Sequence, residues 1–438
     1  MKQERGPAVP AAPVAIQEAR AEPQPPAADA HTPAAEEPPF WITTTQLRAA
    51  IPARAWRSMD DLDLEAELCR PARTVREPPR WFRAQLRKAY SVALTEWQQR
   101  GRPAAWKLFI LIPRMLLQPT EQQGDAGTVI FRERIDSFLK GDWVALLDAV
   151  SAPQCAVRAI DGEAAERNRL KQVEAKIRLK EISRARVHLT SSGVAPGTEE
   201  TLQELTDPEL RPNRPTEEIP SWCHRHVPAT AFTLKQDELL AALRSAGRGS
   251  AQDLSGTRYE HLRVLIEDEA LWGVFAAFAQ AFARAQVPDD VMQALRLGRM
   301  TALKKEGGRI RGIVAGSVLR RLVGKAVARQ YAARFLHATA PYQFALRTPA
   351  GTDVVAHILR YITEGDPDKV VVSLDGIGAF DHVRRAAFVR KIASTPELES
   401  ILPLVLALYG SESRFFWYDD EGQRHVIHQA EGGEQGGR

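Results

Sequence analysis

Apolar residues recur with a helical period through much of the chain. The clearest helix runs from Glu163 to Leu189, and Leu271–Gln286 shows the same spacing. The apolar face of the Glu163–Leu189 helix comprises Leu170, Val173, Ile177, Ile182 and Ala185. A β-branched run, Val370–Leu374, predicts a strand that emerges from a turn and ends on Asp375. Helices mixed with short strands in this way predict an α+β fold.

The same pattern divides the chain into regions. Residues 1–40 contain 9 Pro and 11 Ala without periodic apolar positions, which predicts a disordered tail. Residues 41–189 predict a mainly helical, basic region. Residues 190–230 are rich in Pro, Gly, Thr and acids, which predicts a linker. Residues 231–370 and 371–438 carry the mixed helix and strand signals and the candidate chemistry.

Aromatic residues are interleaved with arginines early in the helical region. Trp81, Phe82 and Tyr90 lie among seven cations between residues 70 and 88. This mixture is typical of a nucleic-acid surface, where bases stack on rings. It equally fits helices whose aromatic residues are core and whose arginines face solvent. The sequence leaves both interpretations open.

Composition narrows the class of protein. The chain has 438 residues, of which 44% are apolar and 26% charged, which excludes a wholly disordered or collagen-like protein. Its longest apolar run, Trp106–Leu117, is about 12 residues, and a bilayer span needs roughly 20. No signal-like segment opens the chain, and three cysteines are too few for a disulfide framework. We therefore expect an intracellular protein without membrane contact.

Positive charge is concentrated in one stretch. Residues 301–360 hold eleven Lys or Arg and two acids, a net charge of +9, while the rest of the chain sums to −5. A solvated helical face would account for such charge by itself. Together with the motifs below, the concentration favours a partner that carries phosphate, either nucleic acid or a nucleotide.

The strongest chemical candidate is Asp375, a carboxylate at the end of the predicted strand. Two-metal phosphoryl transfer needs oxygen ligands on a rigid element, and Asp375 fits that role. The alternative is that Asp375 starts a turn with Gly376. Asp381 is predicted to cap a helix from Asp381 to Ala393.

The segment DGIGAFD, residues 375–381, resembles the D-x-x-x-A-F/Y-D motif of reverse transcriptases, and the chain is similar to those of non-LTR retroelements. The resemblance implies a right-hand polymerase, with fingers over 231–370 and a partial palm over 371–438. It implies that Asp375 holds catalytic Mg²⁺ and that Phe380 excludes a 2′-hydroxyl. The implied partners are an RNA template, a DNA primer and dNTP, and the sequence indicates no protein partner. The implied location is the nucleus.

Further blocks follow in the family's order. The stretch 300–330 is similar to the family's fingers hairpin, in which cations contact the triphosphate. Here the cations are Lys304, Lys305, Arg309 and Arg311, expected to project toward one spot, and Gly312 stands where the family usually has Pro. The segment EGGEQG, residues 431–436, resembles the turn that positions the template and nucleotide, with Gln435 and Gly436 matching best.

One family element has no counterpart. The second metal-binding motif, aromatic-x-Asp-Asp, should follow the Gln-Gly turn, and the sequence given stops before it. Tyr418–Asp420 only superficially spells it, and Phe415–Ile427 is predicted to form a hairpin without metal. The catalytic centre is thus expected to be incomplete and this copy inactive. The alternative function is a non-catalytic nucleic-acid-binding protein, and a metal-dependent nuclease would need further clustered ligands.

Overall fold

The computed structural model describes residues 51–120, 122, 124–150, 163–178, 180–182, 185–186, 189, 193–305, 307–345, 348–366, 368–374, 376 and 378–434. Helices and a four-stranded mixed sheet make up this part of the chain, as the α+β prediction expected. The predicted tail, 1–40, lies outside the described residues. Within these ranges no helix combines the length and apolarity needed to cross a bilayer.

Helices dominate the described chain up to Arg244. They are α1 Ala53–Asp60, α2 Leu64–Cys69, α3 Arg83–Arg100, α4 Pro103–Leu116, α5 Asp125–Lys140, α6 Trp143–Asp148, α7 Glu163–Arg178, α8 Glu199–Thr206, α9 Ser221–Arg225 and α10 Gln236–Arg244, with a 3₁₀ turn at Arg80–Phe82. Gly101 ends α3 in the left-handed conformation, with φ of 62°, and Pro103 begins α4 at a position that needs no N–H donor.

The second half alternates helices with strands. Its helices are α11 Tyr259–Leu262, α12 Glu269–Ala283, α13 Asp289–Arg296, α14 Val318–Gln330, α15 Ala332–Thr339, α16 Gly351–Gly365, α17 Ala379–His382, α18 Arg385–Ala393 and α19 Leu402–Tyr409, with 3₁₀ turns at Arg263–Glu267 and Glu399–Ile401. The prediction of a helix over Leu271–Gln286 is confirmed by α12, which Asp268 caps by accepting a hydrogen bond from the Leu271 N–H.

The sheet has the strand order β2-β1-β3-β4. Its strands are β1 Gly298–Lys304, β2 Ile310–Gly316, β3 Ser413–Tyr418 and β4 Arg424–Gln429. Two antiparallel hairpins, β1–β2 and β3–β4, meet through a short parallel pairing in which Arg299 lies opposite Phe416. The β3–β4 hairpin confirms the prediction for Phe415–Ile427. The sheet thus brings a segment near residue 300 against one more than a hundred residues later.

The main hydrophobic core joins helices from both halves of the chain. Aromatic rings of α3, α4 and α12 pack together, with Trp106 and Phe278 centroids 3.8 Å apart and Phe109 and Phe278 centroids 4.7 Å apart. This cluster extends from Ile51 to Phe416, which reaches it from β3. The helices before residue 150 and those after residue 230 therefore share one core.

Two buried cations of α4 link these halves by polar contacts. Arg114 is fully buried, pairs with the Glu67 carboxylate at 2.7 Å, and donates to the carbonyl oxygens of Arg70 and Leu254 at 2.7 Å each. Lys107 is buried as well and lies 2.9 Å from an Asp290 carboxylate oxygen. Because buried charges are costly without partners, these contacts fix how α4 sits against its neighbours.

The predicted linker packs along the sheet. Val194 bridges Leu303 of β1, and Ala195 and Leu205 bury against one face of the sheet. The sheet contributes Met300, Ala302, Val314, Phe415, Trp417 and Ile427 to this second core. Residues 193–211 therefore form a strap over the sheet, and we call them the strap below.

The predicted strand at Val370–Leu374 is wrong. These residues are irregular and exposed, with Leu374 at 91% and Val370 at 84% exposure. A strand needs a hydrogen-bonded neighbour, and among the described residues none pairs with this segment. Its β-branched residues favour a strand, but no neighbouring strand of the described chain pairs with them.

Two other expectations need adjustment. The helix predicted over Glu163–Leu189 is described as a continuous helix only to Arg178, and of its predicted apolar face Val173 and Ala185 are buried whereas Leu170, Ile177 and Ile182 are exposed. For the early aromatic residues, the core interpretation holds at Phe82 and Tyr90, which are fully buried, while Trp81 is half exposed.

Candidate functional site

The β1–β2 hairpin carries the four predicted phosphate-binding cations. Its turn closes with Lys305 N–H donating to the Arg309 carbonyl at 2.7 Å. Gly307 and Gly308 adopt φ values of 87° and 83°, which glycine reaches without steric cost. All four cations, Lys304, Lys305, Arg309 and Arg311, are exposed, and in the described part of the chain none forms an ion pair.

The register separates these cations onto two faces of the sheet. Lys304 lies opposite Ile310, and Arg311 lies opposite Leu303. Paired residues share a face and consecutive residues alternate, so Lys304 and Arg311 point to opposite sides. The expectation that all four project toward one spot is therefore wrong. We call the side of Lys304 the strap face and the side of Arg311 the open face.

On the strap face, the hairpin approaches the DGIGAFD motif. Asp381 lies in α17, and its Oδ1 is 3.6 Å from Nε of Arg211, a strap residue. Burial raises the pKa of the Asp381 carboxyl, and the charges of Arg211 and Lys305 oppose that shift. A cation of the hairpin thus acts electrostatically on the motif, across 76 positions of sequence.

Asp381 does not cap a helix as predicted. The expected helix Asp381–Ala393 is interrupted, because α17 ends at His382 and α18 begins at Arg385 with Arg384 at its N-cap. The Asp381 carboxylate instead faces Arg211. The sequence did not single out this arginine, since it lies in a segment that predicted a linker.

A glycine in β2 makes room for Arg211. A Cβ at Gly312 would lie 2.7 Å from Nη2 of Arg211 and 3.0 Å from Sδ of Met300. The guanidinium passes this position to donate to the Leu205 carbonyl at 2.6 Å and to the Gln429 amide oxygen at 3.2 Å. The glycine at position 312 thus leaves room for the Arg211 side chain.

Gly312→Ala is expected to destabilise the protein by about 1–2 kcal/mol, because the new methyl group must displace the Arg211 guanidinium. In an Arg211→Ala background the same change should cost about 1 kcal/mol less. Chemical denaturation of the four proteins of this cycle measures the coupling. Gly273→Ala in α12, where nothing lies within 4 Å, is the control and should be neutral or stabilising. Equal costs in both backgrounds would refute the contact.

The segment Glu431–Glu434 forms a turn against the motif, which we call the glycine turn. Gly432 N–H donates to Val383 O at 2.7 Å, and Gly433 N–H donates to Phe380 O at 2.8 Å. Gly432 has a φ of 68°, and a Cβ there would lie 2.1 Å from the Phe380 oxygen. Only glycine permits this approach, which gives the glycine-rich composition a physical reason.

Two buried carboxylates hold the ends of the glycine turn. Glu431 accepts hydrogen bonds from the backbone N–H groups of Thr216 at 2.6 Å and Arg385 at 2.7 Å. Glu434 pairs with Arg320 of α14, a fully buried guanidinium. Such buried acceptors cost free energy unless satisfied, so the two contacts anchor the turn to α18 and α14.

The Phe380 side chain is half exposed and lines an apolar pocket of about 380 Å³. The pocket is lined by Ala379, Phe380, Val383, Phe388, Tyr409, Gly432 and Gly433. Behind Tyr409, the guanidinium carbons of Arg320 and Arg385 lie 5.2 and 5.4 Å from its ring centroid. Burial lowers the pKa of Arg385 to about 10. Phe380 and the glycine turn therefore line the same pocket.

Three predicted site residues lie outside the described part of the chain. They are Asp375, Gln435 and Gly436. The structure therefore places the neighbours of the motif and of the Gln-Gly turn but not these residues. Within the described ranges, no group of three or more His, Cys, Asp or Glu side chains could hold a metal ion. The described residues by themselves do not form a site for Mg²⁺.

Two further arginines act electrostatically near the hairpin. Burial lowers the pKa of Arg258; Glu260 opposes that shift, while the charges of Arg76 and Arg299 add to it. The Arg258 guanidinium is engaged within its own segment, since it donates to the Ser250 carbonyl at 2.8 Å and to the Gln252 amide oxygen at 3.3 Å. The strand register places Arg299 on the open face with Arg311.

Asp419 and Asp420 belong to the β3–β4 turn. Asp419 accepts hydrogen bonds from the N–H groups of Glu421 and Gln423, at 3.0 and 2.7 Å, and Asp420 accepts one from Gly197 at 2.9 Å. Both carboxylates are thus used to close the turn and to hold the strap.

No known protein-family model matches this chain, and no curated protein matches it.

Proposed function

We propose that this chain is the nucleotide- and template-binding part of an RNA-directed DNA polymerase of the non-LTR retroelement type. The observation that carries the proposal is the position of the β1–β2 hairpin. Arg211 connects the hairpin to the motif, since its guanidinium passes Gly312 of β2 and lies 3.6 Å from Asp381. The four hairpin cations are exposed, as a site for a triphosphate requires, and the charge of Lys305 acts on Asp381. The resemblance identified the hairpin in residues 300–330 and the motif in residues 375–381, which are separate stretches of the sequence.

The strap face supports nucleotide binding. Lys304 is exposed there, and Lys305, in the turn that follows β1, is exposed and acts electrostatically on Asp381. The apolar pocket beside Phe380 supplies a surface for a sugar or a base, and its volume falls in the range of small-molecule sites. Phosphates at the hairpin and a nucleoside at the pocket would satisfy both surfaces together.

The open face supports contact with a nucleic-acid backbone. Arg299 and Arg311 lie on this face of the hairpin. A polyanion binds such clusters by releasing counterions, without sequence preference. A template strand and an incoming nucleotide would then occupy opposite faces of one hairpin.

A second candidate function is non-catalytic binding of nucleic acid. The exposed, irregular state of Val370–Leu374 favours it, because the segment that leads to Asp375 belongs to no sheet of the described chain. In-line displacement requires metal-binding carboxylates on a rigid element. The basic faces of the hairpin serve this function equally well.

Primer extension separates the two functions. We expect the purified chain to bind an RNA template annealed to a DNA primer and to incorporate no more dNTP in Mg²⁺ than its Asp375→Ala variant, since the hairpin alone supplies binding. Incorporation that depends on Asp375 would establish the polymerase in this chain. Binding without incorporation is the result that both functions predict for this chain, so only incorporation decides between them. Failure to bind the primed template would overturn both.

A further inference from the structure

Arg211 is a buried arginine that contacts three separate elements of the fold. Its guanidinium donates to the Leu205 carbonyl of the strap at 2.6 Å and to the Gln429 amide oxygen of β4 at 3.2 Å, and its Nε lies 3.6 Å from the Asp381 carboxylate of α17. Because the guanidinium is planar and rigid, partners in several directions hold it in one place. Only 6% of Arg211 is exposed, so a ligand in solution does not reach it.

The same side chain lies against the β1–β2 hairpin. A Cβ at Gly312 of β2 would be 2.7 Å from Nη2 of Arg211. Gly312 pairs with Ala302, which lies two residues before Lys304 and therefore on the same face of the sheet. Arg211 thus crosses the face of the hairpin from which Lys304 projects, and the same guanidinium reaches α17.

The strap that carries Arg211 is itself fixed to both strands of the hairpin. At β1, Lys304 N–H donates to the Gly193 carbonyl at 3.0 Å. At β2, Ile310 N–H donates to the Glu204 carboxylate at 2.6 Å. The strap cannot move along the hairpin without breaking these contacts, so Arg211 starts from a fixed position.

The position of α17 beside the hairpin depends on the strap. In the described chain, no hydrogen bond or ion pair joins α17 to the hairpin directly. A second link to the strap is made by His382, whose Nε2 lies 2.9 Å from the Glu209 carbonyl oxygen, and this link ends on the strap. The Arg211 guanidinium, by contrast, lies against both α17 and β2.

We infer that Arg211 is a positioning residue, which sets the separation between the phosphate-binding cations of the hairpin and the apolar pocket beside α17. The inference rests on the proposed function, in which a triphosphate lies at the hairpin and its nucleoside lies at the pocket. A ligand that spans two surfaces gains affinity from both only when their separation matches its length. A nucleoside triphosphate is thus bound at two points, whose distance Arg211 fixes.

Binding of dATP and of its two parts tests the inference. Calorimetry of the full chain measures the affinities for dATP, inorganic tripolyphosphate and deoxyadenosine. In the native chain we expect dATP to bind about 100-fold more tightly than tripolyphosphate, because the pocket adds to the hairpin. Arg211→Ala should weaken dATP binding about tenfold and leave the affinity for each part unchanged, because neither part spans the two surfaces.

Two further variants separate positioning from a general loss of stability. Arg134→Ala removes a partly buried arginine of α5 that donates to the Gln118 carbonyl at 2.7 Å, and it should leave all three affinities unchanged. Gly312→Ala displaces the Arg211 guanidinium without changing any charge. It should weaken dATP binding about threefold in the native chain and cause no further loss in the Arg211→Ala background.

The outcomes distinguish this inference from the proposed function. Equal weakening of dATP and tripolyphosphate binding by Arg211→Ala would show a direct phosphate contact and overturn the positioning role. Unchanged dATP binding in Arg211→Ala, or an additional loss in the double variant, would overturn it and leave the proposed function intact. A native chain that binds dATP no more tightly than tripolyphosphate would overturn the proposed function and this inference together.

Discussion

Removing the four hairpin cations together should weaken binding of a primed RNA template about 100-fold. The variant replaces Lys304, Lys305, Arg309 and Arg311 by Ala. Each lost phosphate contact lowers the slope of log K against log salt by about 1, so the slope should fall by roughly 3–4. Fluorescence anisotropy at several salt concentrations measures both quantities. The fold should survive, because all four side chains are exposed.

A matched variant controls for net charge. It replaces four exposed cations that lie elsewhere, Arg57, Arg225, Lys235 and Lys391, by Ala. Both variants lose four positive charges, and only the hairpin variant loses the proposed site. We expect the control to lose a few-fold in affinity through the weaker overall field. Equal losses in the two variants would mean that binding follows net charge and that the hairpin has no special part.

Replacing Arg114 by Met should destabilise the protein by about 3–5 kcal/mol. The change leaves the buried Glu67 carboxylate with Arg70 alone, 2.9 Å from its other oxygen, and removes the donor to the Arg70 and Leu254 carbonyl oxygens. Urea denaturation followed by tryptophan fluorescence measures the loss. The effect is large because the contact joins the early helices to the segment before α11.

Two further variants isolate the buried pair. Glu67→Met combined with Arg114→Met should recover part of the loss, since no charge then remains buried alone. Arg100→Met, an exposed arginine at the end of α3, should change the free energy of unfolding by less than about 0.5 kcal/mol. A cost below 1 kcal/mol for Arg114→Met would contradict the account of the core.

The sequence predicted elements whose signal is local. The helix α12 and the β1–β2 hairpin with its Gly-Gly turn depend on residues that are neighbours in sequence, and both elements form. Val370–Leu374 shows the limit of such signals. Its β-branched residues favour a strand, but a strand forms only when a partner lies beside it, and the partner is not encoded locally.

The candidate site was predictable as a set of residues and not as an arrangement. The resemblance gave Phe380 and the hairpin cations, while the separation of Lys304 and Arg311 onto two faces follows from a register that only the folded sheet defines. Arg211 shows the same limit. Its role arises because the strap crosses the sheet at Gly312, more than a hundred residues away.

Lysine footprinting tests the phosphate-binding hairpin most directly. The native chain is acetylated with and without dNTP and primed template, and modification of each lysine is measured by mass spectrometry. We expect Lys304 and Lys305 to be protected by the ligands, while the exposed Lys235 and Lys391 react equally in both samples. Protection of those control lysines alone, with Lys304 and Lys305 unchanged, would contradict the proposed site.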